Sequence, residues 1–191
     1  MMVFTSGLPE TTCGKGSTLA STVALRAQLP GLLRHLEVRH LVDVPCGDLN
    51  WMAEVDLSGI IYDGIDIDAS RLATAASKVA RLNALSASLI KTDVLVDPLP
   101  KGDAVLCRDF FQHLPTPDVW TVLRRFLASG ATWLLATSHD VPVNAELAVL
   151  GGYRPLNLLI EPFAFKPMMQ IEDPPGSARI LGVWPRWAIT A

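Results

Sequence analysis

The stretch Asp43-Val44-Pro45-Cys46-Gly47-Asp48-Leu49-Asn50-Trp51-Met52 decides the fold. It begins at the end of a short apolar run, residues 40–44, and its small residues predict a tight turn directly after a buried strand. Such a turn exposes backbone N–H groups at the carboxyl end of a strand, where open α/β sheets bind their ligands. Because the turn has one glycine where nucleotide-binding loops carry several, it favours by itself an ordinary strand-to-helix connection.

The rest of the chain alternates between strand-like and helix-like segments, which is typical of a parallel sheet covered by helices on both faces. Residues 17–36 predict two helical pieces that meet at Pro30. Two extended pieces in the Pro-rich tail, residues 158–165 and 179–184, predict an antiparallel hairpin at the sheet edge. Apolar spacing predicts further helices over residues 69–82 and 118–128, and strands over residues 40–44, 59–67, 88–91, 104–107 and 132–137.

The chain length limits the architecture to one domain, because 191 residues fit an α/β domain with a full core and leave little room for a second. We therefore expect a single domain over residues 1–191. Within it, residues 1–37 form a helical gating segment and residues 38–137 form the ligand-binding core. Residues 138–191 supply the acceptor-side loops and edge strands.

Composition and charge restrict the classes of function. The formal net charge of −3 and the lack of a basic cluster argue against a nucleic-acid partner. The richest apolar run, residues 131–136, is far shorter than the ~20 residues of a membrane span, and residues 1–15 lack the pattern of a secretory signal. The three cysteines form no CxxC pair, which argues against a disulfide framework. We expect a cytoplasmic protein with no membrane partner.

Acidic residues follow several of the predicted strands. Asp66 closes the second strand roughly 20 residues after the turn, the separation at which a carboxylate accepts hydrogen bonds from both hydroxyls of a ribose. Asp93 closes the third strand and Asp109 follows the fourth. One such residue is typical of a turn, but several on one edge of a sheet repel each other unless a ligand or cation uses them. The pattern favours a binding site.

Four segments together carry a resemblance to a known family: residues 14–19 (GKGSTL) with Arg26, residues 43–52, residues 107–114 (CRDFFQHL) and residues 154–157 (RPLN). In combination they resemble the class I S-adenosylmethionine-dependent methyltransferases, and more closely a bacterial subgroup with these motifs. Within this subgroup, the chain resembles the mycobacterial enzymes that 1-O-methylate methylmannose polysaccharides. The resemblance implies a Rossmann-like methyltransferase fold with S-adenosylmethionine as cofactor.

The resemblance also implies roles for the cofactor residues. The turn after the first strand would lie against the methionine moiety, Asp66 would bind the ribose, Asp93 would meet the adenine amino group, and the segment after the fourth strand would lie beside the sulfonium. The residues concerned are Asp43, Cys46, Gly47, Asp48, Asn50, Trp51, Asp66, Ile67, Asp93, Val94, Cys107 and Arg108. The first loop departs from the commoner GxGxG form, which leaves its backbone contacts open.

Methyl transfer to a hydroxyl needs a base that removes the hydroxyl proton. The candidate bases are His139, just past the fifth predicted strand, His113 and Asp109. We favour His139, because it shares the sheet edge with the cofactor loop and a neutral imidazole can face an acceptor there. His113 is equally typical of a packed histidine bonded to a backbone carbonyl.

Acceptor contacts are predicted for Arg26, Asp140, Arg154 and Asn157. The forked guanidinium of Arg154, like that of Arg108, suits a carboxylate or sugar hydroxyls, although both also fit surface salt bridges. Asp109, His139 and Asp140 are also candidate ligands for Mg²⁺. The same three residues serve metal-free acid–base chemistry, so the metal stays open.

These residues predict O-methylation of a hydroxyl on a small polar acceptor, with a saccharide or oligosaccharide as the first choice. The enzyme alternative is a carboxyl O-methyltransferase, in which a guanidinium grips the carboxylate and no base is needed. Outside enzymes, the alternatives are a cofactor-binding module without catalysis and a dinucleotide-binding domain, although the GxGxxG turn of the latter is absent. A homodimer is compatible with the sequence.

Overall fold

The computed structural model describes residues 9–147 and 149–191. Residues 1–8, which belong to the predicted gating segment and to the N-terminal stretch without a signal pattern, lie outside the described residues. The helices are α1 (Val23–His35), α2 (Ala69–Ala76) and α3 (Thr116–Ser129). The strands are β1 (His40–Asp43), β2 (Ile61–Asp66), β3 (Ser86–Lys91), β4 (Ala104–Cys107), β5 (Trp133–His139), β6 (Met169–Glu172) and β7 (Arg179–Pro185).

The strands form one mixed sheet in the order β3-β2-β1-β4-β5-β7-β6. β1 to β5 run parallel, and β7 is antiparallel to both β5 and β6. The predicted α/β class, the mostly parallel sheet and the antiparallel C-terminal edge are confirmed. The strand order reverses between β1 and β4, and such a switch point opens a crevice at the carboxyl ends of the strands.

The sheet is buried on both faces, which explains why its central strands are apolar without alternation. β4 is buried at every position, and β1 and β5 are buried except at terminal residues. Leu41 of β1 packs in a cluster with Leu29 and Leu33 of α1, whereas its neighbour Val42 packs in the cluster of α3 around Phe126. None of the described helices has the length and apolarity that crossing a membrane requires.

The prediction of two helical pieces that meet at Pro30 is wrong. α1 runs through Pro30 as one helix, with Leu25, Leu29, Leu32 and Leu33 buried along one side. A proline inside a helix removes one backbone hydrogen bond and costs about 3 kcal/mol. Full burial of a leucine stabilises by about 1.5–3 kcal/mol, so four leucines on one face offset that cost.

The predicted helix over residues 69–82 is shorter than expected. α2 ends at Ala76, and a short 3₁₀ turn, Val79–Arg81, follows. The hydroxyl of Ser77 donates to the carbonyl of Thr74 at 2.7 Å, and such local side-chain bonds compete with continuation of a helix. Buried Leu82 belongs to the core without belonging to the helix.

The prediction that the first strand of the edge hairpin covers residues 158–165 is also wrong. Residues 158–165 fold as turns, with Phe165 N–H bonded to Leu158 O at 2.9 Å and Phe163 N–H bonded to Ile160 O at 3.0 Å. Their apolar side chains fill the core beside α3 instead of one face of a pleated strand. The strand that forms the edge hairpin with β7 is β6, whose residues alternate between half-buried and exposed.

Candidate functional site

The turn after β1 is held by the acidic residue that ends β2. Asp66 is 2% exposed, and its Oδ2 accepts a hydrogen bond from Gly47 N–H at 3.0 Å. Its Oδ1 accepts another from Asp68 N–H at 2.8 Å. A carboxylate has about four acceptor sites, so Asp66 can accept further hydrogen bonds from a ligand. The structure thus brings together the turn and the acidic residue whose spacing suggested a site.

A cavity of about 220 Å³ opens beside this carboxylate at the carboxyl ends of β1, β2 and β3. We call it the apolar cavity, because mostly aliphatic and aromatic side chains line it. Four predicted cofactor residues are among them: Asp66, Ile67, Asp93 and Val94. Other walls come from Val44, Pro45, Leu95, Phe110, His113, Leu114 and Leu150. An apolar slot with a carboxylate at its rim suits a nucleoside, whose base is flat and whose ribose donates hydrogen bonds.

Residues 10–17, which we call the N-terminal cover, lie across the turn after β1. Thr11 Oγ1 donates to the carboxylate of Asp48 at 2.9 Å, and Thr12 N–H donates to it at 3.1 Å. Burial alone would raise the pKa of Asp48, but these donors and Lys78 outweigh it, so that the pKa is lowered. Asp48 is therefore ionised, and its carboxylate accepts hydrogen bonds from the cover.

Gly47 and Asn50 also contact the cover. A Cβ on Gly47, whose φ is +60°, would lie 2.5 Å from Cys13 Sγ, so a side chain at this position has no space. Asn50 Nδ2 donates to Glu10 Oε1 at 2.7 Å and to Ser17 O at 2.9 Å. The residues predicted to meet the methionine moiety therefore lie directly beneath the cover.

Arg108 is the centre of a buried ion-pair network. Its Nε donates to Asp173 Oδ2 at 2.6 Å and its Nη2 donates to Asp173 Oδ1 at 3.0 Å. Arg108 Nη1 lies 3.2 Å from one oxygen of Asp109, and Arg179 Nη1 donates to the other at 2.8 Å. The guanidinium also lies 5.1 Å from the ring centre of Trp51. Both oxygens of Asp109 are thus paired with arginines.

Three predicted cofactor residues are buried beneath the site. Burial raises the pKa of the Cys46 and Cys107 thiols well above its ordinary value, so both are protonated. Tyr62 Oη donates to Asp43 Oδ2 at 2.6 Å. Burial raises the pKa of Asp43 to about 7, because the hydrogen bond from Tyr62 and the charge of Arg108 offset only part of the desolvation.

A second cavity, of about 240 Å³, lies at the carboxyl end of β5, and we call it the polar cavity. His139 ends β5 and lines this cavity, with its Nδ1 3.2 Å from Leu156 O and 3.3 Å from Leu156 N. Burial lowers the pKa of His139, and the charge of Arg179 acts in the same direction, so the imidazole is neutral near pH 7. The other polar residues of the lining are Ser138, Asp140, Asn157, Gln170, Glu172, Ser177 and Arg179.

Of the remaining predicted residues, His113 lines a cavity, whereas Arg26 and Arg154 do not. His113 lines the apolar cavity, and its Nδ1 is 2.6 Å from Gly152 O, the contact expected of a packed histidine. Among the described residues that line the two cavities, neither Arg26 nor Arg154 occurs. Arg26 Nη2 donates to Leu19 O at 3.0 Å, and buried Arg154 Nη2 donates to Leu114 O at 3.0 Å.

The structure does not bring Asp109, His139 and Asp140 together as a metal site. In the part of the chain that is described, no three His, Cys, Asp or Glu side chains are close enough to hold a metal ion. The physical reason is that the Asp109 carboxylate turns toward Arg108 and Arg179.

Sequence reasoning missed several residues of this edge. Asp173 balances the charge of Arg108 from 65 residues away, and no local pattern indicates such a pair. Thr11 and Cys13 lie in a stretch without periodicity. Tyr153, beside the noted Arg154, contacts both candidate histidines. The one sequence signal for Tyr153 is that an aromatic residue directly precedes the RPLN segment.

Comparison with known proteins agrees with this geometry. A family described as a methyltransferase domain matches residues 42–132. A ubiquinone biosynthesis O-methyltransferase of Alkalilimnicola ehrlichii is 30% identical over 132 residues, covering 65% of this chain and 51% of that protein. This chain thus spans about half the length of the curated relative it matches.

Solved structures show the same fold. Magnesium protoporphyrin IX methyltransferase from Synechocystis PCC 6803, with bound S-adenosylmethionine, superposes with a TM-score of 0.60 at 14% identity over 86% of this chain and 80% of that one. A mitomycin 7-O-methyltransferase gives a TM-score of 0.65 at 17% identity over 87% of this chain and 53% of that one. The chain therefore has the fold of S-adenosylmethionine-dependent methyltransferases, and its residues 42–132 match a methyltransferase domain.

Asp43 generates a prediction about stability. The folded protein keeps a proton on Asp43 up to about pH 7, whereas the unfolded chain releases it near pH 3.8, so the free energy of unfolding falls as the pH rises across this interval. Asp43→Asn should remove this fall, as urea unfolding at several pH values would measure. Exposed Asp97→Asn, the control, should keep it. An unchanged slope in Asp43→Asn would contradict the assignment.

Proposed function

We propose that the protein is an S-adenosylmethionine-dependent O-methyltransferase that acts on a hydroxyl of a small polar acceptor, with a saccharide as the first candidate. One observation carries the proposal. His139, neutral near pH 7, lines a cavity with polar walls at the same sheet edge as the apolar cavity. A hydroxyl acceptor needs such a base and such walls.

The cofactor would bind across the turn after β1. Ile67 and Val94 would enclose the adenine in the apolar cavity, with Asp93 at its amino group, while Asp66 would accept hydrogen bonds from the ribose hydroxyls. Cys13 Sγ of the N-terminal cover fills the space beside Gly47, so the methionine moiety would approach that backbone when the cover opens.

The chemistry divides between cofactor and protein. When bound, S-adenosylmethionine supplies an electrophilic methyl group on a sulfonium. His139 takes the proton of the acceptor hydroxyl at Nε2, since Nδ1 already contacts the backbone of Leu156, and passes it to solvent. With its proton on His139, the acceptor oxygen would be the nucleophile for that methyl group.

The arginines weigh against the carboxyl O-methyltransferase. That reaction would need a guanidinium at the acceptor site to bind the carboxylate, but Arg108 is paired with Asp173 and Arg154 lines neither cavity. Arg179, which lines the polar cavity, is paired with Asp109. A hydroxyl acceptor is therefore the better supported of the two.

We propose that the N-terminal cover is a gate for the cofactor. It rests on the turn that the methionine moiety must approach, and hydrogen bonds from Thr11 and Thr12 to Asp48 hold it there. The cover opens to admit the cofactor and closes over it again. We also place the reaction in the cytoplasm, which the free thiols of Cys13, Cys46 and Cys107 support.

Cofactor binding is tested at Asp66. Asp66→Asn should weaken binding of S-adenosylhomocysteine by about 1.5–3 kcal/mol, the range for hydrogen bonds to a charged group. Isothermal titration calorimetry measures it. Asp68→Asn is the matched control, because Asp68 caps α2 and asparagine caps equally well. Equal affinities in the two variants would remove Asp66 from the cofactor site.

The base is tested at His139. His139→Ala should lower kcat about 10²–10⁴-fold, the usual contribution of a positioned base, and leave cofactor affinity intact. The wild-type rate should fall only below about pH 6.5, because burial holds the pKa of His139 under its ordinary value of 6.5. Release of S-adenosylhomocysteine with a panel of pyranosides gives the rate.

His113→Ala serves as the comparison for this test. It should reduce the free energy of unfolding, because His113 is packed against Gly152 O, and retain more turnover than His139→Ala. If His113→Ala folds normally and loses turnover while His139→Ala keeps it, the two roles must be exchanged.

The gate is tested at Thr11. Thr11→Val removes the hydroxyl that donates to Asp48 and should speed dissociation of S-adenosylhomocysteine about tenfold, measured by stopped-flow displacement. Thr18→Val is the control, since its hydroxyl bonds only within residues 15–21. Equal dissociation rates in wild type and Thr11→Val would show that the cover is not a gate.

A further inference from the structure

Tyr153 is an exposed aromatic residue that stands between the two cavities. The centre of its ring lies 5.8 Å from that of His113, which lines the apolar cavity, and 6.3 Å from that of His139, which lines the polar cavity. The residue is 63% exposed. A molecule that reaches from one cavity to the other would therefore meet the exposed part of this ring.

The segment that carries Tyr153 contributes residues to the lining of both cavities. Leu150 and Gly151 line the apolar cavity, and Asn157 lines the polar cavity. Leu156, between them, contacts the ring of His139 through its backbone. We call residues 150–157 the bridging segment.

Hydrogen bonds fix the bridging segment against Phe111–His113, a short 3₁₀ turn that follows β4. Gly151 N–H donates to His113 O at 3.0 Å, and Arg154 N–H donates to Gln112 O at 3.0 Å. The imidazole of His113 is 2.6 Å from Gly152 O. These contacts lie on both sides of Tyr153, so its backbone is held in place before a ligand binds, which lowers the entropic cost of binding.

The walls of the polar cavity indicate the chemistry of the ligand. Asp140 and Glu172 supply carboxylates and Gln170 supplies an amide to the polar cavity. A pyranose has an apolar C–H face that suits an aromatic ring and a rim of hydroxyls that donate to carboxylates. A simple phenol has the flat face but few hydroxyls for these walls.

We propose that Tyr153 is the stacking platform of the acceptor site and that it selects pyranosides. The C–H face of the sugar lies on the ring of Tyr153, its hydroxyls reach the polar cavity, and one of them faces His139. This inference rests on the proposed function only in placing the acceptor beside His139.

Ligand-detected saturation-transfer NMR tests the platform without turnover. The probes are methyl glucopyranoside and methyl mannopyranoside, titrated into protein saturated with S-adenosylhomocysteine. Tyr153→Ala should weaken pyranoside binding about tenfold, whereas Tyr153→Phe, which keeps the ring, should stay within about threefold of wild type. Trp187→Ala, which removes an exposed aromatic residue at the opposite sheet edge, should bind like wild type.

Each other outcome has a defined meaning. Equal pyranoside binding by wild type and Tyr153→Ala, or no binding by wild type, overturns the platform. Loss of S-adenosylhomocysteine binding in Tyr153→Ala also overturns it, because Tyr153 would then support the cofactor site. If pyranosides bind as expected but no methyl group is transferred to them, the proposed function fails while the platform stands.

Discussion

The bidentate pair between Arg108 and Asp173 is the interaction on which the site depends. It fastens the segment after β4 to the hairpin of β6 and β7, and both side chains are almost fully buried. Arg108 also donates to Gly16 O in the N-terminal cover at 2.8 Å and stacks over Trp51. A buried charge left without its partner costs about 3–5 kcal/mol, so these distant elements are obliged to meet at one guanidinium.

Around this pair the two halves of the site differ in how they are built. The apolar cavity is made mainly from strand ends, whose positions are set by the register of the sheet. The polar cavity is made from the end of β5, the β6–β7 hairpin and part of the bridging segment. Loops and edge strands vary more easily than central strands, which allows one cofactor core to accompany different acceptors.

The sequence predicted the parts whose signal is local. β4 appears at the predicted residues 104–107, and Asp66 meets the turn after β1 as its spacing indicated. Periodicity failed where packing overrides propensity, as in α1 through Pro30, or where apolar residues serve the core from turns, as in residues 158–165.

Long-range contacts could not be predicted for a different reason. The contact between Thr11 and Asp48 spans 37 residues, and that between Arg108 and Asp173 spans 65. Neither leaves a pattern within any window of sequence. Arg154 matched the resemblance but lies against Leu114 O, which a motif of residue types does not reveal.

The order of the last strands has a consequence for how the sheet folds. β6 precedes β7 in the chain, yet among the described strands it pairs with β7 alone, which separates it from β5. β6 therefore cannot join the sheet until β7 has paired with β5. The open flank of β5 is meanwhile an unpaired strand edge, the kind of surface to which chaperones and other nascent chains attach. The polar cavity, whose walls include this hairpin, therefore forms only after β7 has covered the flank of β5.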